Sequence, residues 1–366
     1  MLEEAPGEYE VIDLDLDPPR QGELLVEMSA AGLCHSDDHV ARGDSPVGIY
    51  PYCGGHEGAG VVGRVGPNTP GWEVGDHVVF SFLPACGRCR WCTSGKQNLC
   101  DLGMHLMSGA RLEDPGSYRL HLPDGTPVGQ ALGLGAFCER TTVSVHSAVK
   151  VDSDLPLDLL CLLGCSVGTG WGSAVRLADL QPGDCVVVIG VGGVGASAVQ
   201  GAAHVGAGII VAVDPVEGKR KAALGLGATH AVASLGEADA VVRDATNGQG
   251  ADAAIVTVGV LTGNHVAEAF SVVRKAGVVV VPAIAPAAEV GIPVPLRELT
   301  LFQKRIQGSL FGSCNPSWDI LRQIELYRAG KLKLGELVTR RYRLAEVAQG
   351  FRDMHAGENI RGVITF

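Results

Sequence analysis

The run Cys185–Val213 contains no Asp, Glu, Lys or Arg, and it is long enough to cross a bilayer. Its glycines decide against a membrane helix. Gly190, Gly192, Gly193, Gly195, Gly201, Gly206 and Gly208, with Gln200 and His204, break the run into a short strand, a tight turn, a helix and a second strand. The order that follows carries a mechanism. Strand Cys185–Ile189 leads into Gly190-Val191-Gly192-Gly193-Val194-Gly195, and nineteen positions after Gly195, at the end of the predicted strand Ile209–Val213, stands Asp214. Glycines let the backbone turn sharply and approach a pyrophosphate, the following helix offers its N-terminal amides to the negative charge, and the acid accepts hydrogen bonds from ribose hydroxyls. The alternative is a close-packed glycine turn with no ligand. An acid at this position repels a 2′-phosphate, so the pattern favours NAD(H) over NADP(H). Lys219 is close enough in sequence to give ribose a second contact, or it is a solvated helix-start lysine.

The texture of the chain changes along its length. Up to about Ser166 it is punctuated by Gly and Pro, with short β-type runs at Glu23–Met28, Gly60–Val65, His77–Phe82 and Thr141–Val145, which predicts a β-rich domain over residues 1–166. Between 167 and 308, apolar strands alternate with helical runs at Gly195–Val205, Lys219–Leu226 and Val266–Val273, with further strands at Ala253–Val256 and Val278–Pro282. Buried strands separated by helices imply a doubly wound parallel sheet, so the fold class is α/β. The tail, 309–366, holds helices near Ser317–Arg328 and Leu344–Met354 and a strand at Arg361–Phe366. It is expected to rejoin the first domain.

Four cysteines, Cys86, Cys89, Cys92 and Cys100, crowd into CGRCRWCTSGKQNLC. Their spacing lets four thiolates close around one tetrahedral ion and leaves no open position, which describes a structural zinc lobe over about 84–101. Chance clustering or disulfides are the competing explanation. A reactive metal needs an open site, for which Cys34 in GLCHSDDH, His56 in GGHEGAG and Cys165 in LLGCSVGTGWG have the right chemistry: two thiolates and an imidazole leave one position free. Their spacing alone does not identify them, and a single buried cysteine is more often a small core residue.

Of the 366 residues, 46% are hydrophobic and 19% charged, and the formal net charge is -11. That balance suits two domains with real cores and disfavours nucleic-acid or anionic-membrane partners. Eleven cysteines and no charged-then-apolar leader at Met1–Pro6 fit reduced thiols in the cytoplasm better than a disulfide scaffold.

GLCHSDDH, GGHEGAG, the four-cysteine lobe, GCSVGTGWGSAV, GVGGVG and IIVAVD stand in the order typical of zinc-dependent medium-chain alcohol dehydrogenases, which the chain resembles over nearly its whole length. SFLPACGRCRWC, GHEGAGVV and AVDPVEGKRKAALGLGATHA resemble the nicotinoprotein branch, assayed with nitrosodimethylaniline as electron acceptor. The resemblance implies a GroES-like catalytic domain, a Rossmann domain and assembly as a homodimer or homotetramer through the latter. It implies two zinc ions per subunit, one held by Cys34, His56 and Cys165 with Glu57 beside it, the other by the lobe. Asp37 would orient His56. Ser36 would bond the substrate hydroxyl and pass its proton, through the cofactor ribose, to an exposed His39 and then water. His35 and Arg361 match positions that meet the pyrophosphate, and Thr169 one near the nicotinamide. Phe82 and Trp171 either wall an apolar substrate slot or pack the core.

The implied reaction is reversible oxidation of an alcohol to an aldehyde or ketone by hydride transfer to NAD, with the nicotinoprotein resemblance adding a retained cofactor reoxidised in place by a second small molecule. A thiol-adduct (formaldehyde-type) dehydrogenase is the enzymatic alternative and needs a cationic pocket, for which Arg111 is the nearby candidate. A non-catalytic NAD(H)-binding redox sensor is the alternative from another class, and the full set Cys34, Ser36, His39, His56 and Cys165 speaks against it. Cys53, Cys138, Cys161, Cys185 and Cys314 read as structural or incidental, with Cys53 near enough to His56 to report oxidation there. The family usually has a longer strand and loop before the position of Glu8, so the first strand is expected to be short.

Overall fold

Strand Cys185–Ile189 is buried at every position, the pattern of a strand covered on both faces. The computed structural model, which describes residues Met1–Phe366, places it third in a six-stranded parallel sheet. The spatial order is His230–Val232, Ile209–Val213, Cys185–Ile189, Ala251–Val256, Val273–Val281 and Arg305–Gly308. Every neighbouring pair is parallel. The order reverses between Cys185–Ile189 and Ala251–Val256, and in such sheets the crevice beyond the strand C-termini at the reversal receives the ligand. Helices Gly193–His204, Glu217–Gly225, Leu235–Ala245 and Gly263–Val272 occupy the connections. Val187, Val211, Ala254 and Val279 join Ala238, Val242, Val266 and Phe270 in the core on one face.

The second sheet system is mainly antiparallel. Strands Val338–Arg343, Arg361–Thr365, Glu23–Gly32, Glu57–Val65, His77–Phe80 and Ala148–Val151 follow one another, and Arg140–Ser144 adds to Glu23–Gly32. A smaller four-stranded sheet joins Asp15–Leu16, Leu120–His121, Pro127–Gln130 and Tyr52–Cys53. The tail closes the larger one: Val363, Ile364 and Thr365 pair with Gly32, Ala31 and Ala30. At the N-terminus, Leu2 is fully buried and exchanges backbone hydrogen bonds with Tyr52.

The chain divides into two compact units, Met1–Cys165 with Cys314–Leu326 and Val338–Phe366, and Ser166–Ser313 with Tyr327–Leu337. These limits correct the sequence boundaries at both ends. Ser166 opens the second unit, and the return begins at Cys314 because Ser309 is tied to Ser173 by a 2.8 Å hydroxyl contact. Residues Tyr327–Leu337 also stay with the second unit, where Lys333 N–H donates to Gln200. The uncharged run Cys185–Val213 is a strand, a helix and a strand, and no single helix is long and apolar enough to cross a membrane.

Behind the antiparallel sheet lies a buried ionic cluster. Glu23 accepts from both Arg111 and Arg119, the latter at 2.9 Å. Arg111 also reaches Asp17 at 2.9 Å, and Arg119 reaches Gln130 at 3.0 Å. Burial pushes the Glu23 carboxyl up, but the Arg119 charge and the Arg111 hydrogen bond outweigh it, and the net shift is downward. Removing one member of a buried pair leaves the others uncompensated. Glu23→Gln is therefore expected to lower unfolding free energy by about 3–5 kcal/mol in urea titrations. Because the folded carboxyl titrates below its unfolded value, the cluster's contribution is full above about pH 4.3 and is lost as pH falls through the folded pKa. Wild type should lose more stability than the variant over that acid window.

Candidate active site

Helix His35–Arg42 begins immediately after Cys34, its N-cap residue. His56 precedes strand Glu57–Val65, and Cys165 follows the turn Cys161–Gly164. One ligand atom from each of Cys34, His56, Glu57 and Cys165 lies within 4.8 Å of the others, and all four residues are buried. His56 is fixed from behind. Its Nδ1 is 3.0 Å from Asp37 Oδ2, while Asp37 Oδ1 accepts the Gly55 N–H at 2.9 Å. The other ring nitrogen, Nε2, is buried with no hydrogen-bond partner.

The electrostatics of the cluster favour a positive charge at its centre. Burial pushes the His56 pKa down, but Asp37 and the Cys34 sulfur raise it well above the ordinary imidazole value. The Cys34 thiol is pulled well down, chiefly by its hydrogen bond with Cys165, which is pushed up by the same contact and by burial. A metal ion satisfies the same neighbours that otherwise hold a proton on His56. Two sulfurs and the orphaned imidazole nitrogen, His56 Nε2, fit zinc. Glu57, fully buried, is pushed up to about 7 by burial against the opposing pull of Arg361. Arg361 Nη2 donates to Glu57 Oε2 at 2.5 Å.

In the lobe, the Sγ atoms of Cys86 and Cys92 are 3.9 Å apart, as are those of Cys89 and Cys100. Corners of a tetrahedron with bonds of about 2.3 Å stand roughly 3.8 Å apart, whereas a disulfide requires about 2.05 Å. These separations fit a four-thiolate metal cage and not a disulfide. The backbone N–H of Cys92 pulls the Cys89 thiol down to about 6.

The second unit carries the glycine turn. Gly190 has φ 93°, a left-handed conformation that glycine supplies without strain, and a Cβ there would lie 2.8 Å from Thr257 O. Gly192 is different: nothing in the protein lies within 4 Å of an added Cβ, so the missing side chain leaves a cradle open to a ligand. It is also the N-cap of helix Gly193–His204, which has no side-chain cap. Asp214 Oδ2 accepts the Val191 N–H at 2.8 Å and Oδ1 the Val216 N–H at 2.9 Å. That anchors the acid at the turn formed by Gly190–Gly195, while each oxygen keeps spare acceptor capacity. Val194 and Lys219 lie on the helices that follow.

Several expectations need correction. His39 is not exposed: it is 2% accessible, and its Nδ1 is 3.2 Å from Asp44 Oδ2. Gly43, in the left-handed conformation at the helix end, turns the chain so that Asp44 faces back. Arg361 is buried on Glu57, with its Nε lacking a hydrogen-bond partner. His35 is half-buried, and burial lowers its pKa, so it offers a neutral ring. Trp171 packs on His204 with ring centroids 4.9 Å apart and belongs to the core of the second unit. Phe82, by contrast, meets the His56 ring edge-on at 5.9 Å. Arg111 is tied into the Glu23 cluster, which removes the cation proposed for a thiol-adduct pocket. Ser36 Oγ is 3.7 Å from Cys34 Sγ, and Thr169 is buried in helix Ser166–Gly172. Sequence reasoning missed Asp44, and also Arg220, whose guanidinium donates to the carbonyls of Asp214 and Pro215 at 2.8 Å each. An acid five positions after His39 and just past a glycine was the available signal for Asp44.

Residues 20–153 match the alcohol dehydrogenase GroES-like domain, and residues 193–325 match the zinc-binding dehydrogenase domain. The chain is 50% identical to an NDMA-dependent alcohol dehydrogenase of Amycolatopsis methanolica, covering all of this chain and 97% of that protein. It is 43% identical to alcohol dehydrogenase B of Mycobacterium tuberculosis, over 98% of this chain and 95% of the relative. Among solved structures, benzyl alcohol dehydrogenase from Acinetobacter calcoaceticus superposes with a TM-score of 0.87 at 30% identity, covering 98% and 96% of the two chains.

Gly32 makes the Glu57–Arg361 contact possible, since a Cβ there would overlap Glu57 Oε2 and lie 3.0 Å from both Arg361 Nη2 and Leu162 Cδ2. Gly32→Ala is expected to lower stability by about 1–3 kcal/mol by overpacking. Gly218→Ala, where nothing lies within 4 Å, should leave the urea midpoint unchanged or raised.

Proposed function

The chain belongs to the zinc-dependent medium-chain alcohol dehydrogenase family, and from that premise we propose that it interconverts an alcohol and its aldehyde or ketone with NAD(H), holding two zinc ions per subunit. The observation that carries the reading is the buried set Cys34, His56 and Cys165 with an unpartnered His56 Nε2. Those three residues would hold the catalytic ion and leave one position open, and Cys86, Cys89, Cys92 and Cys100 would hold the structural ion. When bound, zinc supplies Lewis-acid polarisation of the substrate oxygen and the nicotinamide takes or gives the hydride.

The chain's own residues do the rest. Asp37 fixes the His56 ring and its tautomer, an outer-shell role typically worth 10–100-fold in metal affinity. Ser36 accepts a hydrogen bond from the alcohol and its proton moves on toward His39. Since His39 is buried, the exit to water runs through Asp44, which holds its Nδ1. Gly190, Gly192, Gly193, Val194 and Gly195 would receive the pyrophosphate and Asp214 the ribose, with Lys219 or Arg220 beside it. Thr169 is assigned to the nicotinamide, and Phe82, edge-on to His56, to an apolar substrate wall.

The similarity to an NDMA-dependent relative supports retention of NAD(H) through turnover, with a second small molecule as acceptor. Free thiols throughout and the thiolate-rich metal sets support a cytoplasmic setting. A homodimer or homotetramer through the nucleotide unit is supported by exposed Val290, Leu296 and Leu301 and by the edge strand Arg305–Gly308, which can pair with a second copy.

Extensively dialysed protein is expected to keep the near-ultraviolet band of reduced nicotinamide, bleached by nitrosodimethylaniline and restored by benzyl alcohol. Absence of the band, with turnover only on adding free NAD, would replace retention with ordinary exchange. Turnover under neither condition would reject the dehydrogenase reading. Metal analysis should find two zinc ions per chain in wild type, one in Cys92→Ser with a lowered melting temperature, and weaker retention of the other ion in Asp37→Ala.

A further inference from the structure

Cys53 ends the short strand Tyr52–Cys53, three residues before His56. The segment it leads into runs antiparallel to Gly135–Cys138: the Ala136 N–H donates to Gly55 O at 2.8 Å and the Phe137 N–H to Gly54 O at 3.0 Å. The next pair outward is Cys53 and Cys138. Their sulfurs converge. Cys138 Sγ is 2.9 Å and Cys53 Sγ 3.6 Å from the same Gly135 carbonyl oxygen, and each thiol shifts the other's pKa, Cys53 downward and Cys138 upward. Directly opposed residues of antiparallel segments have Cβ atoms about 4.5–5.5 Å apart, close to the span that a disulfide bridges. Cys53 is 1% accessible, while Cys138 is half-buried.

We propose that Cys53 and Cys138 form an oxidisable dithiol, a modification site for small hydroperoxides that links the approach to His56 with the facing 135–138 segment. Both residues lie outside the metal sets. The half-buried Cys138 meets the oxidant first: an S–O bond forms as the O–O bond breaks, and the thiol proton leaves with the departing hydroxide as water. The Cys53 sulfur then attacks Cys138, forming the S–S bond and expelling hydroxide, which takes the Cys53 proton as a second water. Two thiols and one hydroperoxide thus give a disulfide and two molecules of water or, for an organic hydroperoxide, one water and one alcohol. The neighbouring Cys138 lowers the Cys53 pKa, which favours Cys53 as the attacking sulfur, while Cys53 and burial raise that of Cys138, so exposure and not thiolate character makes Cys138 the site of first oxidation. Backbone pairing already holds the two segments in register, so the bridge closes without rearranging the His56 loop. Once zinc is bound, coordination would shield the thiolates of the two metal sets.

The test uses the zinc-loaded full chain, titrated with hydrogen peroxide, alkylated, digested and mapped by mass spectrometry, with zinc release followed in parallel by a chromogenic chelator. The expected result is a linked peptide pair containing Cys53 and Cys138, formed before zinc is released and reversed by dithiothreitol, with a raised melting temperature. Cys138→Ser should keep wild-type activity before treatment and lack both the link and the thermal shift. Mapping wild type alone suffices should that variant fold poorly. Zinc loss before any link, or Cys138 converted to sulfinate while Cys53 stays alkylatable, would overturn the proposal.

Discussion

The buried contact between Asp37 and His56, 3.0 Å long, is the interaction on which the site depends. It commits Nδ1 of the ring and turns Nε2 toward the two sulfurs, so one carboxylate decides which nitrogen faces the metal position. Asp37 is itself pinned by the Gly55 N–H, and Gly55 is the residue before the ligand. The helix His35–Arg42 distributes several such tasks along one short segment. Cys34 caps it, Ser36 stands beside the Cys34 sulfur at 3.7 Å, Asp38 pairs with Arg42 at 3.2 Å and His355 at 2.9 Å, and His39 is held by Asp44. Every acid on this buried face has a partner, which is the condition under which charge survives burial.

Positions without a side chain are equally part of the machinery, for opposite reasons. At Gly32 the absent Cβ is already filled by protein, because Glu57 and Arg361 approach the strand at that point. At Gly192 nothing fills it. The first glycine therefore serves a contact within the fold, while the second leaves the start of helix Gly193–His204 uncovered. Asp214 ties the glycine turn to the start of helix Glu217–Gly225 by accepting from Val191 and Val216, so its geometry is set within the protein. Preorganisation of this kind lowers the ordering penalty of binding.

The elements legible in the sequence were those whose pattern repeats their burial. Cys185–Ile189 and Ile209–Val213 are apolar and buried almost throughout, and both were read with the observed limits. Helix Leu235–Ala245 was missed because only Ala238 and Val242 are buried in it, too few for a stripe, although Ser234 caps it by accepting from Glu237 N–H. Edge strand Arg305–Gly308 was missed because it is polar and has no buried residue. In the site, ligand types could be read, but accessibility could not. His39 reads as a surface residue until Gly43 folds Asp44 back over it, and Arg361 reads as a free cation until its strand pairs with Gly32 and sets it on Glu57.

Cysteine chemistry in this chain is decided by neighbours and not by residue type. In the lobe, four sulfurs paired at 3.9 Å match the edges of a metal tetrahedron of about 3.8 Å. At Cys34 and Cys165 an imidazole backed by a carboxylate, with Glu57 beside it, stands where the lobe has two further sulfurs. Cys161 is fully buried within the field of Glu57, and burial drives its pKa far up, so it remains an inert core thiol. Cys53 sits in a small apolar cluster with Leu120 and Val128, and the half-buried Cys138 packs against it. Each has the other, a shared carbonyl at Gly135, and no place in either metal set, the arrangement on which the proposed disulfide rests.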